Sequence, residues 1–336
     1  MGAFSAVYRT ILFVREFLYK KSLKRARKLP SKVISIGNLT LGGTGKTPAV
    51  IALAEEVKKR GCKPCILTRG YKGKAKAPCM AGKDNEPSLN TYQAGDEPTL
   101  MTYRLKGIPV VIGKNRYLAG ITAISELGLN AIDMFILDDG FQHLALHRDL
   151  DILLIDATNP FGNDKLFPEG ILREPLKAIE RADIIVITKT NAVSRDRIDV
   201  LRMKIKQYNT HAPVYTAFHR PTAFVNPKGI LKEPDFINQR RIYAFSGIAN
   251  PDYFKTTLSS MGAQIVKFKP FRDHYFYKQQ DIDRITESAD GLEIITTEKD
   301  LVKLKEMRLP ENIFALRVDF SVEEAFYNNI FGRIQC

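Results

Sequence analysis

Apolar runs of four to six residues punctuate the first two thirds of the chain. They span Val33 to Ile36, Pro64 to Leu67, Pro109 to Ile112, Met134 to Leu137, Ile152 to Ile155 and Ile184 to Ile187, and stretches with helical spacing lie between them. Continuous rather than alternating apolar runs are what strands buried on both faces require, so the pattern predicts a parallel sheet with helices on both faces over residues 31–205. Near residue 206 the texture changes. Pro213, Pro221, Pro227 and Pro234 break up the segment 206–240, which reads as a linker with short strands around Val214 and Tyr215. Strand-like runs resume at Arg241 to Phe245, Gln264 to Phe268, Glu293 to Thr297 and Phe314 to Val318, with helical segments from Asp252 and Lys278, which predicts a smaller α/β lobe over 241–336.

Ahead of the first strand, Phe4, Val7, Tyr8, Ile11, Val14 and Leu18 recur at helical spacing. Arg9 and Arg15 interrupt them, so the segment is no bilayer span. The run Lys20-Lys21-Ser22-Leu23-Lys24-Arg25-Ala26-Arg27-Lys28 follows, a cationic stretch of the kind drawn to anionic headgroups. Residues 1–30 therefore read either as an amphipathic helix in a membrane interface or as one packed on the domain with a solvated basic face. A signal peptide fits poorly, because the charge comes after the apolar segment.

At 336 residues, with 44% hydrophobic and 26% charged positions, the chain is long enough for two folded domains. Its formal net charge of +14 implies an anionic substrate or partner. A nucleic-acid reader is not expected, since no reader motif and no aromatic-basic interleaving occurs. Four cysteines make no disulfide framework and read as a reduced chain; the C-x-x-C of Cys62 and Cys65 lacks a second pair at zinc spacing.

The chemistry starts at the end of the first run. Gly42-Gly43-Thr44-Gly45-Lys46-Thr47 leads into a helical pattern at Pro48, the strand-to-helix setting of a phosphate-gripping loop. Glycines let backbone N–H groups turn onto phosphates, Lys46 supplies a cation, and the Thr47 hydroxyl can ligate Mg²⁺. The nucleotide segment so predicted is Thr40, Leu41, Gly42, Gly43, Thr44, Gly45, Lys46, Thr47 and Pro48, with Thr40 standing where the loop's first glycine usually falls. Asp138 and Asp139 end the fourth run, at the sheet edge where an acidic pair can hold Mg²⁺. Gly95-Asp96-Glu97-Pro98 precedes a helix expected near Thr99, and Asp96 reads equally as its cap and as a base for an alcohol. Asp273-His274-Tyr275, in the second lobe, offers a histidine that could orient a first-lobe carboxylate only if the lobes close over a shared cleft. Arg69, Arg116 and Arg173 follow strands or loops from which phosphate could be gripped. Thr188-Lys189-Thr190-Asn191 ends another strand, where such folds can recognise a base.

Taken together the motifs resemble the tetraacyldisaccharide 4′-kinase family. The resemblance rests on Ile36 through Pro48, Thr68-Arg69-Gly70-Tyr71, Gly95 through Pro98, Leu137-Asp138-Asp139-Gly140-Phe141-Gln142-His143, Leu172-Arg173-Glu174-Pro175, Phe245-Ser246-Gly247-Ile248, Asp273-His274 and Thr296-Thr297-Glu298-Lys299-Asp300. The family's own loop shares the threonine at the position of Thr40. The resemblance implies a P-loop NTPase-like core and ATP and Mg²⁺ as cofactors. It also implies phosphoryl transfer to the 4′-hydroxyl of a tetraacylated glucosamine disaccharide 1-phosphate. Asp96 would act with His274 as base, and Lys46, Thr47, Glu97, Asp138 and Asp139 would manage ATP and Mg²⁺. Asn38, Arg69, Tyr71, Arg116, Gln142, His143 and Arg173 would lie near substrate. The N-terminal helix would meet the cytoplasmic face of the bacterial inner membrane, on an otherwise monomeric protein. The rival reading is a P-loop GTPase or ATPase that loads a metal or a partner.

Overall fold

A computed structural model describes residues 3–76, 78–83 and 86–334, with side chains from residue 7 onward, so Phe4 lies outside the described side chains. The strands are β1 Lys32–Asn38, β2 Pro64–Thr68, β3 Cys79–Lys83, β4 Glu86–Pro87, β5 Val110–Ile112, β6 Met134–Asp138, β7 Leu150–Asp156, β8 Ile184–Thr188, β9 Val214–Val225, β10 Leu231–Lys232, β11 Arg241–Ser246, β12 Gln264–Pro270, β13 Glu293–Thr297 and β14 Ile313–Val322. The helices are α1 Ala3–Lys20, α2 Lys46–Lys59, α3 Thr91–Ala94, α4 Asp96–Arg104, α5 Arg116–Leu127, α6 Arg195–Lys206, α7 Pro251–Ser260, α8 Gln279–Ala289, α9 Glu298–Leu304 and α10 Glu324–Arg333.

The strands form one continuous sheet in the order β12-β11-β13-β14-β9-β8-β7-β1-β6-β2-β5-β3-β4, with β10 paired to β9. From β8 to β5 every pairing is parallel, and β3 and β4 close that edge antiparallel. The runs are apolar on both faces, Ser35 of β1 apart, because both faces are covered. Ile34 and Ile36 pack with Val50 and Leu53 of α2, while Val33 turns the other way, toward Ala119 and Ala123 of α5. The second lobe repeats the arrangement. Ile242 and Ala244 meet Phe254 and Leu258 of α7, and Tyr243 and Phe245 meet Ile282 and Ile285 of α8.

The segment 206–240 differs from its expected form. It carries the 12-residue strand β9, which belongs to both halves of the sheet. Val214, Tyr215 and Thr216 run parallel to β8, and from Ala217 onward the same strand pairs antiparallel with β14. Pro221 is accommodated where the register shifts between Arg317 and Val318, a bulge at which a missing N–H does no harm. Across the junction, Arg104 of α4 is buried between Glu298 at 2.7 Å and Asp319 at 2.6 Å, and Arg317 donates to Glu298 at 2.9 Å. These bonds join the first lobe to α9 and β14.

Candidate active site

The loop after β1 is braced from beneath. Gly45 adopts φ 86°, and a side chain there would collide with the His219 ring as well as strain the backbone. Asn38 donates to the Thr40 carbonyl at 2.9 Å, and Lys46 Nζ donates to Asn38 Oδ1 at 3.1 Å. From β8, Thr188 Oγ1 donates to the Thr44 carbonyl at 3.0 Å and Lys189 Nζ to the Gly43 carbonyl at 2.8 Å; Lys189 is also ion-paired with Asp156. Asn38 and Thr40, expected at substrate and nucleotide, are thus buried struts of the loop. Thr188 and Lys189, expected to read a base, instead hold two of the loop's carbonyls. Leu41 through Pro48 do line a cavity of about 1030 Å³. Glu97, Arg69, Tyr71, Arg116, Asp138, Asp139, Gln142, His143, Arg173 and His274 line the same cavity, so residues of both lobes converge there.

Asp138 and Asp139 are neighbours with opposite surroundings. Asp139 takes the left-handed φ of 53° and receives both oxygens' worth of hydrogen bonding from Arg173 Nη1, at 2.9 and 2.8 Å; Lys46 stands 3.4 Å away. Burial opposes its ionisation, but Lys46 and Arg173 outweigh it and hold the carboxyl at about 2. Asp138 accepts from Thr68 Oγ1 at 2.9 Å. Burial, reinforced by the charges of Asp139 and Glu97, pushes it up to about 6. Arg116 is buried beside the pair, donating to the carbonyls of Gly113 at 2.6 Å and Asp138 at 3.1 Å.

Thr47, Glu97, Asp138 and Asp139 offer the hard oxygen donors that Mg²⁺ takes. Of these, Asp138 is the carboxylate whose charge lacks compensation, a deficit that a divalent cation fills. Asp139 is already engaged by Arg173 and Lys46, and Glu97 by Lys299 at 2.7 Å. Among the described residues no three His, Cys, Asp or Glu side chains form a metal cage.

On the other side of the cavity, α4 begins at Asp96 rather than near Thr99, so Asp96 and Glu97 occupy its first turn, and Gly45 and Gly95 precede α2 and α4 respectively without a side-chain cap. Asp96 itself is buried behind the cavity wall, and His274 faces the opening. His274 Nδ1 donates to Asp96 Oδ2 at 2.9 Å, while Nε2 lies 3.3 Å from Lys299 Nζ. Burial pushes the Asp96 carboxyl up, but the His274 hydrogen bond, Lys303 and Lys299 more than offset it and hold it below its ordinary value. Tyr71, half exposed, sets its ring 5.2 Å from that of His274, and Arg69 is exposed at the rim.

Gln142 donates to the Asn38 carbonyl at 2.9 Å and toward Glu174 at 3.4 Å. Burial and the nearby Arg116 and Arg148 push His143 down to about 4, so it is a neutral imidazole on the cavity wall. Glu174 is buried between Arg15 of α1 and Arg181. Tyr8 of α1 donates to the Arg173 carbonyl at 2.9 Å, which ties the N-terminal helix to the cavity rim, while Val7, Ile11, Phe13, Val14 and Phe17 remain exposed. No described helix is long and apolar enough to cross a membrane. Cys62 is disulfide-bonded, which corrects the expectation of a wholly reduced chain, and Cys65 is a free thiol buried in β2.

The sequence alone assigned no individual role to Glu174, Lys299, Lys303 or His219. Glu174 and Lys299 sat inside motifs that carried the family resemblance, and Lys303 follows Lys299 by one helical turn. His219 gave no signal, since a lone histidine in a proline-broken stretch has no pattern to belong to.

Comparison with known proteins bears on the chain as a whole. The family profile described as Tetraacyldisaccharide-1-P 4′-kinase matches residues 1–335. A tetraacyldisaccharide 4′-kinase of Syntrophus aciditrophicus is 39% identical over 341 residues, covering 97% of this chain and 90% of that protein. One from Geobacter sulfurreducens is 38% identical over 303 residues, covering 89% and 82%. The crystal structure of the "apo" form of LpxK from Aquifex aeolicus in complex with ATP superposes with a TM-score of 0.78 at 34% identity, covering 98% of this chain and 97% of that one. The loop, the paired aspartates and the lobe-spanning Asp96–His274 contact are therefore those of a chain that belongs to the tetraacyldisaccharide 4′-kinase family.

Proposed function

We propose that this cleft transfers the γ-phosphoryl group of ATP to the 4′-hydroxyl of a tetraacylated disaccharide 1-phosphate, the family's reaction in lipid A biosynthesis, with the roles that follow. The observation carrying this reading is that Lys46, Asp138 and Asp139 of the first lobe share one cavity with His274 of the second, itself bonded to Asp96 at 2.9 Å. ATP lies on Leu41 to Pro48, its phosphates met by backbone N–H groups and Lys46. Asp138 and Thr47 would hold Mg²⁺, which supplies charge neutralisation at the β- and γ-phosphates. Arg173 and Lys46 fix Asp139, keeping a permanent negative charge beside the lysine and setting its direction.

The Asp96–His274 pair takes up the acceptor hydroxyl proton. His274 faces the acceptor space, and Asp96, kept ionised by the second lobe's cations, sits behind it, holds the ring through Nδ1 and stabilises the charge the pair takes up. Positioning and charge neutralisation supply most of the catalysis, as expected when the reacting phosphoryl group is itself loosely bonded. Arg69, Tyr71, Arg116, Gln142 and His143 line the space left for the sugar phosphate. The exposed apolar residues of α1, with the basic run after them, seat the protein as a monomer on the cytoplasmic face of the inner membrane, where such a lipid resides. The family match does not favour a metal- or partner-loading nucleotidase. Incubation with γ-labelled ATP and a detergent-dispersed lipid disaccharide tests the reading: label is expected on the glycolipid, and ATP turnover indifferent to the lipid would overturn it.

A further inference from the structure

His219 sits on β9 opposite Phe320 of β14, at the seam between the lobes. It lines the cavity beside Gly45, it is nine-tenths buried, and its Nε2 has no hydrogen-bond partner in the protein. The buried hydroxyl of Thr44, the residue before Gly45 in the chain, is likewise without a partner. Burying a polar atom with nothing to bond is costly, so two such atoms at the phosphate loop point to a ligand that completes them. The ring is held edge-on to Tyr253, centroids 5.9 Å apart, and Phe254, Leu316 and Phe320 make the adjoining wall apolar. Such a wall suits the uncharged end of a nucleotide better than its triphosphate.

We propose that His219 is a nucleotide-binding residue, whose Nε2 hydrogen-bonds an oxygen of the ATP seated between the phosphate loop and the second lobe. The proposal rests on the kinase reading given above. Burial, with Lys189 nearby, pushes the imidazole down to about 4 against the pull of Asp156, so the ring acts as a neutral hydrogen-bonding group at working pH. Its role is then distinct from that of Lys46, which acts through charge.

His219→Phe keeps the ring's bulk and removes the nitrogen, whereas His219→Gln returns an amide near the Nε2 position. With full-length enzyme, the Phe variant is expected to raise the KM for ATP roughly ten-fold, with the KM for lipid unchanged, and the Gln variant to recover most of that loss. Direct titration of ATP onto the protein without lipid is expected to show the same ranking. If Phe does not fold, His219→Ala carries the same expectation. An unchanged KM for ATP in the Phe or Ala variant overturns the proposal, as does a Gln variant no better than Phe, which would make His219 a steric prop for Gly45. Wild-type protein unable to bind ATP would instead sink the kinase reading itself, so the two failures are separable.

Discussion

Two of the cation-bound carboxylates around the cleft, Asp139 on the phosphate side and Asp96 on the acceptor side, are maintained by different means. Asp139 receives Lys46 and Arg173, both from the first lobe, so its ionisation is settled once that lobe has folded. Asp96 belongs to the first lobe, yet His274, Lys299 and Lys303 all come from the second. Should the lobes separate, burial and cations leave together, and the forces holding Asp96 below its ordinary value go with them. The phosphate side is prepared in advance, whereas the acceptor side is conditioned by the meeting of the lobes. In the proposed reaction, a carboxylate conditioned only in the assembled cleft would limit proton uptake to the state from which water is excluded.

The most severe way to probe this difference is on the phosphate side. Lys46→Ala removes a cation from both the transferring phosphate and Asp139, and turnover is expected to fall about 10³-fold in a γ-label assay. On the acceptor side, Asp96→Asn is expected to lower turnover about 10²-fold while ATP affinity, measured by titration, is nearly unchanged; unchanged turnover would remove Asp96 from the base role.

Asp138 supplies a third contrast, in stability. Its folded value, about 6, lies above its ordinary 3.8, so ionising it costs stability as pH rises through that window and costs nothing below it. In the absence of nucleotide and Mg²⁺, Asp138→Asn is expected to raise stability near neutral pH by on the order of 2 kcal/mol, with the gain vanishing below about pH 4. Denaturant unfolding at the two pH values measures it, and destabilisation at neutral pH would mean that Asp138 is already compensated.

The smallest effect sharpens the comparison most. Lys303→Met takes one second-lobe cation from Asp96 without touching the loop. Asp96 is held low, and the proposed role needs it ionised, so the acid limb of the kcat profile is expected to move to higher pH, with a several-fold loss at the acid end. A displaced limb in the Lys303 variant, set against an unmoved one in a variant of the exposed Lys114, would tie the limb to the second lobe.

The sheet strands β1, β2, β6, β7 and β8 were legible because parallel strands buried on both faces leave uninterrupted apolar runs. The phosphate loop was legible because its parts are contiguous. β9 was not: Pro221 and a mixture of buried and half-buried positions disguise it, and only the bulge opposite Arg317 and Val318 shows how the proline is tolerated. The Asp96–His274 contact joins residues 178 apart. No spacing rule encodes such a pair, and family resemblance alone suggested it. Asn38 shows a related difficulty, since a polar residue at a strand end beside a ligand loop reads alike whether it faces the ligand or props the loop, and the bonds it makes here are to Thr40 and Lys46.

β9 passes from one neighbour to the next without a spare residue, Thr216 pairing with Ile187 and Ala217 with Val322. A one-residue slip would turn every side chain of the strand inside out, so the lobes cannot slide along each other. What remains is torsion about that shared ladder. The strand works as a torsion bar, and any change in how wide the cleft stands must be written into its twist.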